Sequence, residues 1–236
     1  MDYLARGLDR LGYSAVNLGV RDFSSGAEYL EKLSKKSKFD FISANAFYKV
    51  SGERFTRPYR IFILKAESQN SALPFKRIRI GVIGLCDEVQ NVYSHSEGGA
   101  AVETRDPVAI APGLVNELRS KADLVILLYH GRYNTLETLL LGCPGIDVAV
   151  MGKEYYMAGR SSLENVILVS SPSLGKYLGI LDLELNADKK IVGHDNVKLA
   201  LDENIEDDAE MVKLIQDFAG KYEKARQQQM ERNRAQ

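Results

Sequence analysis

The chain has 236 residues, 45% of them hydrophobic and 27% charged, enough apolar material to bury a sizeable core as one domain of generous size. Its 31 basic and 32 acidic side chains leave a net charge of -1, with no run of lysine or arginine that would track a nucleic-acid backbone. No apolar stretch approaches the length of a membrane span, and Met1 leads into an amphipathic pattern, so the sequence as written predicts neither a membrane helix nor an export signal. Cys86 and Cys143 are too few for a disulfide framework and lack metal-type spacing. They read as reduced thiols near strand or helix ends, and the compartment stays open.

In chain order, residues 1–11 place Leu4, Leu8 and Leu11 about a turn apart, which predicts a helix packing on a sheet. Residues 11–30, LGYSAVNLGVRDFSSGAEYL, read as a short buried strand (Ala15, Val16, Leu18) that stops at Gly19. A polar turn follows, and then a helix over residues 26–36 with Leu30 and Leu33 inward. In an open α/β sheet ligands sit beyond the carboxyl ends of strands, so Val20, Arg21, Asp22 and Phe23 occupy the place where chemistry is expected. Residues 39–44, FDFISA, form a strand ending at Asn45. Residues 47–50 and 59–65 suggest a hairpin or a pair of edge strands, with Pro58 at a strand start and a polar loop over 66–74.

Residues 78–85, IRIGVIGL, have the near-continuous apolar character of a central strand covered on both faces. Residues 86–105 read as a long polar loop containing Asp87, Glu88, His95 and Glu97, and His95 is more simply exposed than a ligand. Asp106-Pro107 is a helix-start signal for a helix running to about residue 121. Residues 122–130, ADLVILLYH, form the next buried strand and deliver His130 to the carboxyl edge. A helix over 134–141 ends at Gly142, and residues 145–151, GIDVAVM, form another strand leading to Gly152, Lys153, Glu154 and Tyr155. Residues 165–170, 177–185 and 190–199 are the closing strands. Residues 207–236 begin as a helix with Met211, Leu214, Ile215 and Phe218 on one face and continue polar all round, as a frayed end or a connector does.

LGYSAVNLGVRDFSSG resembles a segment of the 5′-nucleotidase type of metallophosphoesterases (calcineurin-like superfamily) that reads LGYDAVTLGNHEFDYG. FDFISA resembles the family's P-x-L-S-A-N strand, IRIGVIGL its kIGViGl, ADLVILLYH its ADvvIlLsHlG, and GIDVAVMGKEYY its GiDlilgGHtH. SSPSLGKYLGILDLEL is similar to a Gly-rich turn before a ylG.ldl.l strand. The resemblance covers about residues 1–199 with motif order kept. It implies an α/β fold: a metallophosphoesterase-like mixed β-sheet sandwich flanked by helices, over residues 1–205, followed by a C-terminal helix or linker over 206–236. It also implies that the first strand-helix unit, carrying the family's Asp-x-His and Gly-Asp, has no counterpart upstream of Met1.

The family uses two divalent metals, which activate a water and neutralise charge on the transferring phosphoryl group. Its metal-ligating Asn falls on Val20, its phosphate-contacting His on Arg21, and its two late histidines on Lys153 and Tyr155, while His130 keeps a ligand position. Asp22 stands beside these positions, and Asn45 borders the family site, although capping a strand is an equally good role for it. Arg21 and Lys153 bring fixed positive charge to where the family holds cations. Metal binding is therefore in doubt. The expectation is a catalytically degraded domain that binds phosphate or a nucleotide through Arg21, Asn45, His130, Arg132 and Lys153. The alternatives are a relic pocket in which Arg21 pairs with Asp22, Glu154 or another local acid, a metal-dependent phosphomonoester or nucleotide hydrolase completed by an N-terminal segment, and a scaffold for an adjacent domain or for self-association.

Overall fold

The computed structural model describes residues 2–65, 76–90, 92, 101–152, 162–170 and 175–234. In chain order it builds α1 (Asp2–Arg10), β1 (Ala15–Asn17), a 3-10 turn (Val20–Ser25), α2 (Ala27–Ser34), β2 (Asp40–Ile42), β3 (Ala46–Tyr48), β4 (Tyr59–Lys65) and β5 (Arg77–Cys86). It continues with β6 (Val102–Thr104), α3 (Pro107–Arg119), β7 (Leu124–His130), α4 (Tyr133–Gly142), β8 (Val148–Met151), β9 (Ser162–Leu163), β10 (Val166–Ser170), β11 (Tyr177–Leu185), β12 (Ile191–Ala200) and α5 (Ala209–Arg234).

The centre is a mixed six-stranded sheet in the order β4-β5-β7-β8-β10-β9. Strands β5, β7, β8 and β10 run parallel, with β4 and β9 antiparallel at the edges. The continuous apolar runs of β5 and β7 are explained by this position. Ile83, Leu85, Val125 and Leu127 are fully enclosed, packing with Val115 and Leu118 of α3 and Leu136 and Leu139 of α4. Asp106 caps α3 by accepting from Val108 N at 2.9 Å, and Pro107 sits at the first helical position, as its sequence signal predicts.

A second core gathers Leu18, Phe23, Ala27, Leu30, Leu33 and Phe39 around the parallel pair β1-β2. This small sheet is fastened to the large one by side chains: Asn17 Nδ2 donates to Leu85 O at 2.7 Å and to Leu128 O at 3.1 Å. The strand ends of both layers therefore keep a fixed relation.

Three expectations are corrected. Residues 47–50 and 59–65 do not pair as a hairpin but are edge strands, the other reading: β3 pairs antiparallel with β6, and β4 lies at the edge of the central sheet against β5. The stretch read as a long loop thus contains a strand, β6, too short to show a period; His95 and the loop over 66–74 fall outside the described residues. Of the three leucines of the α1 pattern only Leu8 packs against the core around β1-β2. Ala5 is the helix's buried residue, Leu4 and Leu11 stay exposed, and its other side meets α5 through Tyr3, whose ring lies 5.3 Å from that of Phe218. The closing strands β11 and β12 pair with each other as a separate two-stranded ribbon. Both cysteines are free and buried, at a strand end and a helix end.

Candidate functional site

The site is made where β1, β7 and β8 end. β7 and β8 are parallel neighbours with Tyr129 opposite Met151, and the Asn17 amide ties β1 to β5 and β7. Gly19, His130 and Gly152, which close or follow these strands, consequently come together. A Cβ on Gly19 would lie 2.9 Å from His130 Cδ2, and one on Gly152 would lie 3.4 Å from His130 Nδ1. The half-buried imidazole lies between these two backbones, and at Gly19 the approach is too close for any side chain, whereas at Gly152 a Cβ would make ordinary contact.

The turn after β1 is locked from within. Asp22 Oδ2 accepts from Gly19 N at 2.7 Å, and Phe23 is buried edge-on against Phe55 with ring centroids 5.0 Å apart. Burial pushes the Asp22 carboxyl above the ordinary Asp range, while the Gly19 hydrogen bond and the charge of His130 pull the other way. With Asp22 and Phe23 turned inward, Arg21 is exposed and makes no ion pair or hydrogen bond among the described residues. The pairing of Arg21 with Asp22 is not formed.

The remaining sequence candidates divide. Arg132 is held by Asp87: its backbone N–H donates to Asp87 Oδ2 at 3.0 Å, and its Nε lies 3.3 Å from the same oxygen. Asp87 Oδ1 accepts from Tyr129 OH at 2.5 Å, and burial, reinforced by this bond, raises the phenol's pKa. Asn45 is fully buried and spends its amide on the fold, donating at 2.7 Å to both Cys86 O and Arg105 O and accepting from Cys86 N at 3.1 Å. That geometry makes it a staple between β2 and the end of β5. Burial pushes the neighbouring Cys86 thiol up to about 12. Lys153 and Tyr155 lie outside the described residues.

Asp87 is the residue that sequence reading missed. Its signal was available only through register: Cys86 pairs opposite His130, which sets Asp87 against Tyr129 and Arg132.

The described residues do not fit the two-metal centre that the fold suggests. Val20 has no donor atom in its side chain, Arg21 is a cation, and the Asp22 carboxylate is engaged by Gly19 N. Among the described residues no group of three or more His, Cys, Asp and Glu side chains converges as metal ligands do. What the arrangement offers instead is a fixed imidazole against Gly19 and, two residues further along the chain, an exposed guanidinium without an ion pair among the described residues.

No family model matches the chain. The 5′-nucleotidase of Vibrio cholerae serotype O1 is 27% identical over 244 residues, covering 89% of this chain and 42% of that protein. Among solved structures, the calcineurin-like phosphoesterase YfkN from Bacillus subtilis superposes with a TM-score of 0.73 at 22% identity, covering 93% of this chain and 73% of that one. The 5′-nucleotidase precursor from Thermus thermophilus gives a TM-score of 0.72 at 22% identity, covering 93% of this chain and 45% of that one. The fold is that of the calcineurin-like metallophosphoesterases. By sequence, the chain is similar to proteins named as 5′-nucleotidases. It spans about 42% of the length of the first curated relatives it matches.

Proposed function

We propose that this chain is a 5′-nucleotidase-like domain in which the metal chemistry is lost and the former metal face binds phosphate or a nucleotide as an anion. The observation that supports it is Arg21. Two residues beyond the glycine that touches His130, a locked turn presents an exposed guanidinium with no ion pair among the described residues. A guanidinium fork matches phosphate oxygens and remains charged at every relevant pH, so it binds an anion without a metal to bridge them. Lys153, next in sequence to Gly152, belongs to the same proposed set; Arg132, held by Asp87, contributes its remaining donors at the rim.

A second reading is metal-dependent hydrolysis of a phosphomonoester or nucleotide. It is favoured by the ligand position that His130 keeps at the end of β7 and by the relatives named as 5′-nucleotidases. Calorimetric titration with inorganic phosphate, with AMP and with Mn²⁺, beside hydrolysis of an aryl phosphate, separates the two. The anion reading expects heat with phosphate or AMP and no turnover. Mn²⁺-dependent turnover that disappears in His130→Ala would establish the hydrolase reading in its place, and silence toward all the ligands would remove the binding function.

A further inference from the structure

Helix α5 has 26 residues, a rod of about 39 Å at 1.5 Å per residue, and α1, its packing partner, has only 9. The contact is confined to the first half of α5: Tyr3 OH donates to Asp217 Oδ2 at 2.7 Å, Arg10 Nε to Asp208 Oδ1 at 2.9 Å, and Gly7 faces Met211. Every side chain from 215 to 233 is exposed. Helix of that length without tertiary packing is marginal in water, so the outer half calls for a partner.

The character of that partner is written along the helix. Met211, Leu214, Ile215, Phe218 and Tyr222 share one stripe, yet Ile215, Phe218 and Tyr222 remain 59%, 47% and 57% exposed. The stripe opens onto a groove of about 640 Å³ whose floor is Leu11, Leu201, Ile205 and Ile215 and whose rim includes Asp202, Glu206 and Asp207. Residues 202–210 carry six carboxylates and no cation. Residues 221–232 carry four cations, Lys221, Lys224, Arg226 and Arg232, against two carboxylates. Arg10 neutralises only Asp208 and Glu210 in the acidic stretch, and Lys224 and Arg232 form no ion pair among the described residues.

We infer that α5 is an interface between two copies of this chain, paired antiparallel about Phe218, with the basic outer half of each helix lying over the acid-rimmed groove of the other. The arrangement is self-complementary, as a two-fold contact requires: acid meets base twice, and the apolar stripes meet at the centre. Parallel pairing would set like charges together and is disfavoured. Nothing in this inference depends on Arg21 or on anion binding.

Sedimentation velocity of the full chain across a concentration series at low salt tests it. The expected result is a reversible monomer–dimer equilibrium, weakened about tenfold or more on moving to about 1 M salt, where the Debye length falls to about 3 Å. Phe218→Glu should abolish the dimer, but it also touches the packing of α1. The decisive pair is therefore Lys224→Glu/Arg232→Glu and Glu206→Lys/Asp207→Lys. Each variant, shown folded by circular dichroism, should be monomeric alone, and the two mixed should form a heterodimer. A parent chain that is monomeric at every concentration, as expected if the stripe instead covers another domain, overturns the inference. So does a dimer that either charge variant keeps, or a mixture that fails to associate.

Discussion

The two edges of the central sheet are made by the same strands and use their charges in opposite ways. At the amino edge the carboxylates Asp123 and Asp147 are tied down. Asp123 is bound by Arg79 at 2.9 Å and by Lys189 at 3.0 Å, and Asp147 takes Arg119 on one oxygen at 2.5 Å and Val125 N on the other at 2.7 Å. These bonds fasten α3 and the turn between β11 and β12 to the sheet. At the carboxyl edge Asp22 and Asp87 are likewise spent on the fold, but Arg21 is left exposed with no ion pair among the described residues. Charge that is paired in the fold stabilises it; charge left over is what a ligand can use.

The comparison can be broken first at Asp147. Asp147→Ala should destabilise the chain by about 2–3 kcal/mol, because it strands the Val125 N–H and the Arg119 guanidinium together, and leave phosphate affinity unchanged; urea denaturation and calorimetry read the two. Gly131→Ala, at the other edge, places a Cβ 2.3 Å from Asp87 Oδ1, and should cost about 1–3 kcal/mol through overpacking, again by denaturation.

Asp123 sharpens the contrast through pH. Hydrogen bonding to Arg79 holds its carboxyl well below the usual range, so its stabilisation is present above the unfolded value of about 3.9 and is lost as pH falls through the folded one. Asp123→Asn should cost about 1–2 kcal/mol at neutral pH, a difference that shrinks below about pH 4 in melting experiments. Arg21→Ala should invert the pattern: unchanged melting, and phosphate affinity about tenfold weaker, equivalent to about 1.4 kcal/mol.

Much of the fold was readable in advance because local and global signals agree. The unbroken apolar runs of β5 and β7 match strands covered on both faces, and Asp106-Pro107 starts α3 where it should. What escaped reading depends on contacts distant in the chain. β3 pairs with β6, 54 to 58 residues on, as the register from Tyr48 opposite Val102 to Ala46 opposite Thr104 shows, and three residues are too few to display a period. Leu4, Leu8 and Leu11 looked like a sheet-facing stripe, but only Leu8 joins Ala5 at the core, while Leu4 and Leu11 border α5.

In the site, the convergence of His130 with the end of β1 was legible from motif order. The occupations of Asn45 and Arg132 were not, since they rest on Cys86, Arg105 and Asp87, which only the sheet register brings near.

The most direct measurement is calorimetric titration of inorganic phosphate into the parent chain and into Arg21→Ala, with the melting temperature of each recorded alongside. The account predicts saturable binding by the parent, about tenfold weaker in the variant, with equal melting temperatures. Equal affinity in the two proteins, or no binding by the parent, would contradict it.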